Sequence, residues 1–186
     1  MFGFLKKALN KIADYNNDQD FFDFIHKKYE TNSNELFATF SQQGFSLVID
    51  LMIQKAKHDL DMFIKDKKSF LDPLKIIMLE EKIKSFTSTG GMIIISTFGG
   101  ENDSQLNQLK EKYPNNFNYI PLKCKNADDV NSFIIIDNKS YLIDDPTWNK
   151  ATNMYKAEVN FFDYSKSASL IQKFKSYTGV YSNTMV

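Results

Sequence analysis

Asp137 and Lys139 stand two residues apart between the apolar runs Ser132–Ile136 and Ser140–Ile143. A carboxylate and an amine in a D-x-K arrangement are half of what a metal-dependent nuclease or phosphodiesterase needs. Alternate strand residues share a face, so the pair can hold a divalent ion and its water. Glu158, on a later apolar run, would add a second carboxylate, and Asp128 or Asp129 an acidic partner upstream. A solvated hairpin tip accounts for the same residues. Asp144, Asp145 and Glu158 are oxygen donors of the kind Mg²⁺ and Ca²⁺ prefer, although Asp-Asp-Pro146 also reads as an ordinary strand exit. Glu101 and Asp103 follow Gly99-Gly100, where a central strand would meet a ligand; Asp103 also suits a helix cap.

The remaining reactive side chains are few. His26 and His58 are the only histidines, and both read as exposed or structural. Cys124 is the only cysteine, which excludes an internal disulfide and a thiolate metal cluster; its flanking Lys123 and Lys125 would lower its pKa if it is exposed. No G-x-G-x-x-G or P-loop is present. No cofactor and no resident metal are expected. Trp148 fits a core edge or an interface anchor.

Composition narrows the partners. The 186 residues carry 23 basic and 23 acidic side chains, so no global field draws the chain onto nucleic acid, and nucleic acid is not supported as a partner. Every basic residue is lysine, without the planar fork that grips phosphate in bidentate fashion. A hydrophobic content of 42%, with 17 Phe and 9 Tyr, is enough for an aromatic-rich core. No apolar run reaches the roughly 18 residues of a membrane span, and Met1–Ile12 lacks the pattern of a secretory signal. The cytoplasm is the expected location.

The elements that must position these residues follow from periodicity. Phe2, Leu5, Leu9 and Ile12 form one apolar stripe of a helix, with Lys6, Lys7 and Lys11 mainly off it. Phe21, Phe22, Ile25 and Tyr29 predict a second short helix, and residues 31–44 a polar connection with a helical turn at Leu36, Phe37 and Phe40. Helices are predicted from Leu47 to Ala56, from Asp72-Pro73 to Gly90, over 103–113, and over Ser165–Tyr177 with Ala168, Ile171 and Phe174 inward. Strands are predicted at Leu60–Ile64, Met92–Ile95, Asn118–Leu122, Phe133–Asp137, Tyr141–Ile143 and Ala157–Phe162, with Asn138-Lys139 as a hairpin turn. This order is α/β: a mixed central sheet flanked by helices. The division expected is an N-terminal helical extension over 1–44 and an α/β domain over 45–186.

From Leu47 to Tyr177 the pattern resembles the phospholipase D-like superfamily. The likeness rests on Leu47–Lys65, on the Asp72 helix with Gly90-Gly91 and Met92–Ser96, on the Phe133–Ile143 strand pair, and on Lys156–Phe162 with the Asp163–Phe174 helix. The resemblance implies a His-x-Lys-x-x-x-x-Asp motif ending at Asp137. Its histidine position then falls on Val130 and its lysine position on Ser132, which supply neither a nucleophile nor a cation. Asp144-Asp145 and Trp148-Asn149 stand where a Gly-Ser and an Asn usually follow.

The reading is a pseudoenzyme: a non-catalytic interaction module, homodimeric by resemblance, that binds a protein partner or a membrane-associated assembly. The alternative is a nuclease using Asp137, Lys139 and Glu158. The amphipathic helix of residues 1–15 adds a candidate partner or anionic-membrane surface at Phe2, Phe4, Leu5, Lys6, Lys7, Leu9 and Lys11, and with it a peripheral membrane location; packing on the aromatic face of residues 21–29 accounts for the same stripe.

Overall fold

Helix starts are set by side-chain oxygens at the positions the sequence marks. Ser41, Asp72, Asp103 and Asp163 each accept the N–H three residues on, from Gly44, Lys75, Leu106 and Lys166, all at 2.9 Å. Each such cap is worth about 1 kcal/mol. Gly90 ends the Asp72 helix in the left-handed region, at φ 75°, where a side chain would strain the backbone.

The structure is a computed structural model that describes residues 18–39, 41–65, 70–98, 103–122, 131–145 and 156–179. The described helices are α1 (Asp18–Glu30), α2 (Gln42–Lys55), α3 (Pro73–Thr89), α4 (Ser104–Lys112) and α5 (Tyr164–Thr178). The strands are β1 (Phe37–Thr39), β2 (Asp59–Ile64), β3 (Met92–Phe98), β4 (Phe117–Leu122), β5 (Phe133–Ile136), β6 (Ser140–Asp144) and β7 (Ala157–Asn160). They form one mixed sheet in the order β1-β7-β6-β5-β2-β3-β4. The β2–β3 and β3–β4 pairs are parallel, and the others are antiparallel.

Alternation along the strands divides the core in two. Leu60, Met62, Ile95, Ile134, Leu142 and Val159 face the layer built by α1 to α4. Phe63, Ile94, Phe133, Ile135 and Tyr141 face the opposite way and are covered by Leu170 and Phe174 of α5. The isoleucine run of β5 is therefore buried on both sides, as its unbroken apolarity requires.

Three local expectations are corrected. Phe37–Thr39 is an edge strand pairing with β7, not a connection with a helical turn: Phe37 packs on Phe161 and Thr39 is buried, so alternate residues face inward. β7 stops at Asn160, before Phe162, because the Asn160 side chain accepts the Phe162 N–H at 2.8 Å and donates to Asn34 O at 2.8 Å. Ala168 is exposed; the inward stripe of α5 is Ser167, Leu170 and Phe174. The expected boundary at 44/45 lies within α2, and α1 on its N-terminal side shares the same core through Phe21, Ile25 and Tyr29.

A buried lysine lies within the helical layer. The Lys75 ammonium, 2% exposed, donates to Ser46 Oγ at 2.7 Å and lies 3.1 Å from Asp72 and 3.2 Å from Asp50. It ties the start of α3 to α2.

Candidate functional site

The β5–β6 hairpin was the first candidate for chemistry, and its geometry gives Asp137 a different task. Asp137 and Asn138 both have positive φ, 50° and 55°, and Lys139 N–H donates to Ile136 O at 3.1 Å. This is a type I′ turn, in which Asp and Asn are the best-tolerated residues after glycine. The turn folds the Asp137 carboxylate back onto the start of β2. There it accepts N–H bonds from Lys57 at 3.0 Å, His58 at 2.8 Å and Asp59 at 3.2 Å. The Asp137 N–H also donates to Asp59 O at 3.0 Å. An ionised acceptor thus satisfies successive amides where α2 ends and β2 begins.

Lys139 and Glu158 are elsewhere. The Lys139 ammonium lies 4.9 Å from the Phe162 ring centre and 5.9 Å from that of Tyr29, rings that belong to the α1–α4 side. Glu158 accepts the Tyr141 hydroxyl at 2.9 Å, and Tyr141 belongs to the α5 side. Burial and then the Glu158 charge hold the Tyr141 proton well above its ordinary range. The sheet separates Lys139 from Glu158, so the three trial residues do not share a pocket.

The far end of the same strands is where the resemblance places its lysine. Ser132 is buried there, its hydroxyl accepting Lys65 N–H at 2.9 Å and its carbonyl accepting Asp144 N–H at 2.9 Å. It locks β2, β5 and β6 together and carries no charge. Asp145 pairs with Lys156 at 3.2 Å, and Asp144 is buried. Among the described residues no three His, Cys, Asp or Glu side chains are grouped to hold a metal. Asp103 caps α4, and His58 is exposed and donates its backbone N–H to Asp137. His26 is partly exposed and lies 3.8 Å from Glu30. Val130, Asp128, Asp129, Glu101, Cys124, Trp148 and the residues Phe2, Phe4, Leu5, Lys6, Lys7, Leu9 and Lys11 lie outside the described residues.

The strand expected at Leu60–Ile64 carries Asp61, with Asp59 just before it, and neither was singled out from sequence. Both point to the α5 side. Asp61 lies between Ile94 and Ile135, its register partners on the neighbouring strands. Burial, then the Asp59 charge, push its pKa up to about 7, with Lys175 of α5 opposing them. Asp59 is raised as well, by burial and then by Asp137. The linkage has one sign. Folded Asp61 keeps its proton from the ordinary 3.8 up to about 7 while the unfolded chain has lost it, so stability falls as pH rises through that window and is level above it. Asp61→Asn should flatten this slope. At pH 8 it should gain on the order of 1–2 kcal/mol, allowing for water at the half-buried carboxylate; urea midpoints at several pH values check it.

The seven-stranded mixed sheet, with helices on both faces and a paired hairpin at its centre, defines an α/β protein with the phospholipase D-like fold. Solved structures similar to it include the following two. Nuc from Salmonella typhimurium, a phospholipase D family member, superposes with a TM-score of 0.52 at 15% identity, over 77% of this chain and 94% of Nuc. TrmBL2, an archaeal chromatin protein with a novel mode of DNA binding, superposes with a TM-score of 0.60 at 10% identity, over 94% of this chain. The match spans 64% of the TrmBL2 chain. No protein-family model and no curated protein matches the sequence. Among the described residues, no helix is long and apolar enough to cross a membrane.

Proposed function

We propose that this chain is a phospholipase D-like module that binds rather than catalyses, working in the cytoplasm as a homodimer on a protein partner or a membrane-associated assembly. The observation that carries the reading is the Asp137 carboxylate, engaged by the amides of Lys57, His58 and Asp59. Those bonds give the carboxylate a structural task at the start of β2. Ser132 supports the same reading, since phosphoryl transfer needs positive charge where this chain has a buried hydroxyl tied to Lys65 N–H. The homodimer is an expectation from single-motif members of the fold, which pair about a two-fold axis, the commonest oligomeric symmetry. The DNA binding of TrmBL2 is not carried over, because the charges here balance and the match leaves part of TrmBL2 uncovered.

The test is a cleavage panel: single- and double-stranded DNA and RNA with Mg²⁺, Mn²⁺ or Ca²⁺. No turnover above buffer is expected. Metal-dependent turnover that disappears in folded Asp137→Ala, Lys139→Ala and Glu158→Ala proteins would favour the nuclease alternative.

A further inference from the structure

The outer surface of the helical layer carries a ridge and a groove side by side. The ridge is Leu74 and Ile77 of α3, which are 59% and 60% exposed. The groove runs between α2 and α3 and holds about 370 Å³. Ile53 of α2 lines it, with Ile77, Met78, Glu81, Lys82 and Ser85 of α3. Its walls are apolar because their charges are engaged within the chain. The Lys82 ammonium donates to Gln54 O at 2.6 Å and to Ala56 O at 3.1 Å, which leaves its stem along the wall. Glu81 accepts from Lys84 at 2.8 Å.

We infer that a second copy of this chain covers this surface, its α3 antiparallel to the first about a two-fold axis near Met78. The inference rests on the proposed homodimer and gives it an interface. Ridge and groove suit this occupant because each copy brings both. In a two-fold contact the ridge of one enters the groove of the other, and the reverse. Met78, Glu81, Lys82 and Ser85 stand at i, i+3, i+4 and i+7, the spacing that encloses a hole for one side chain of a facing helix. Residues equally far in sequence from Met78 meet across the axis. Leu74 of the second copy therefore comes to the level of Lys82, inside that hole.

Charge fits the same register. Lys84 comes to the level of the second copy's Asp72, and the symmetry makes the pair twice. Lys84 is 48% exposed and Asp72 47%, so both have surface left for a further partner. The 23 basic and 23 acidic side chains cancel, so two copies approach without net repulsion. Glu80 and Glu81 balance Lys82 and Lys84 on α3, which leaves this surface no positive excess to draw it onto an anionic membrane.

The test is sedimentation equilibrium of the full chain from about 1 µM to about 300 µM, with thermal melts at the lowest concentration. The mass should rise from one chain toward two. Leu74→Asp with Ile77→Asp should stay monomeric throughout and, since both positions are exposed, should melt as the unaltered chain does. Lys84→Glu should weaken association roughly tenfold by facing Asp72 with a like charge. Ile77→Cys in a Cys124→Ser background should react with a neutral maleimide more slowly as concentration rises. A dimer that Leu74→Asp with Ile77→Asp leaves intact overturns the inference and leaves the homodimer standing; a chain that is monomeric at every concentration overturns both. Unchanged association of Lys84→Glu overturns the inference as well. So does protection of position 77 that is the same at every concentration, which assigns the groove to the same chain, or that needs anionic vesicles, which assigns it to a membrane.

Discussion

Replacing Asp137 by alanine should lower folding stability by about 3 kcal/mol and the melting temperature by roughly 6–12 °C. The cost has two sources. The amides of Lys57, His58 and Asp59 lose an ionised acceptor, and the alanine must hold a left-handed φ of 50° that it tolerates less well than aspartate. Lys57 and His58 are exposed residues, so water can take the place of the lost acceptor in the variant, which keeps the loss below that of a buried charge pair. Two further substitutions separate the sources. Asp137→Gly relieves the backbone and leaves the amides unpaired, so it should still lose most of the stability. Asp137→Asn keeps one acceptor oxygen and the turn preference, so it should lose least. Urea midpoints with an unchanged slope measure all three. A ranking in which Asn is as damaging as Ala would mean that charge at this site matters for something other than the turn.

Lys75→Met should cost more, about 4 kcal/mol. The ammonium is 2% exposed, and removing it strands the partly buried Asp50 carboxylate 3.2 Å away together with Ser46. Burying two charges is itself expensive, so the pair as a whole stabilises little. Lys75→Met combined with Asp50→Leu should therefore recover most of the loss. Asp72, the third partner, is about half exposed and caps α3. Its pKa is lowered mainly by the Lys75 backbone N–H and then by the Lys75 side chain, so its own contribution to stability is present at neutral pH and fades as pH falls through the carboxylate range. Thermal melts of the single and double variants decide the matter. A double variant no better than Lys75→Met would show that the cluster stabilises the fold in its own right.

Much of the fold was legible because its cues are local. Asp72-Pro73, Gly90 and the isoleucine runs of β3 and β5 state their elements without help from tertiary contacts. β1 was not legible: its strand character comes from pairing with β7, more than a hundred residues away in sequence, and three residues carry too little pattern to show it. The hairpin was read as a turn one residue late, at Asn138-Lys139 where the structure centres it on Asp137-Asn138, and the task of Asp137 was hidden. Its partners are amides some eighty residues upstream, and no side-chain type at Lys57, His58 or Asp59 announces them. Asp61 was passed over because a polar residue in an alternating strand usually faces water. Here α5 covers that face, and the carboxylate sits among isoleucines.

The most direct test of whether Asp137 holds the fold together rather than serving chemistry is amide hydrogen exchange at Lys57, His58 and Asp59. In the unaltered chain these amides should be protected, and in Asp137→Ala their protection should collapse while the amides of β3 and β5 keep theirs relative to the lowered global stability. Fast exchange at Lys57, His58 and Asp59 in the unaltered chain, or protection there that Asp137→Ala leaves untouched, would contradict the account.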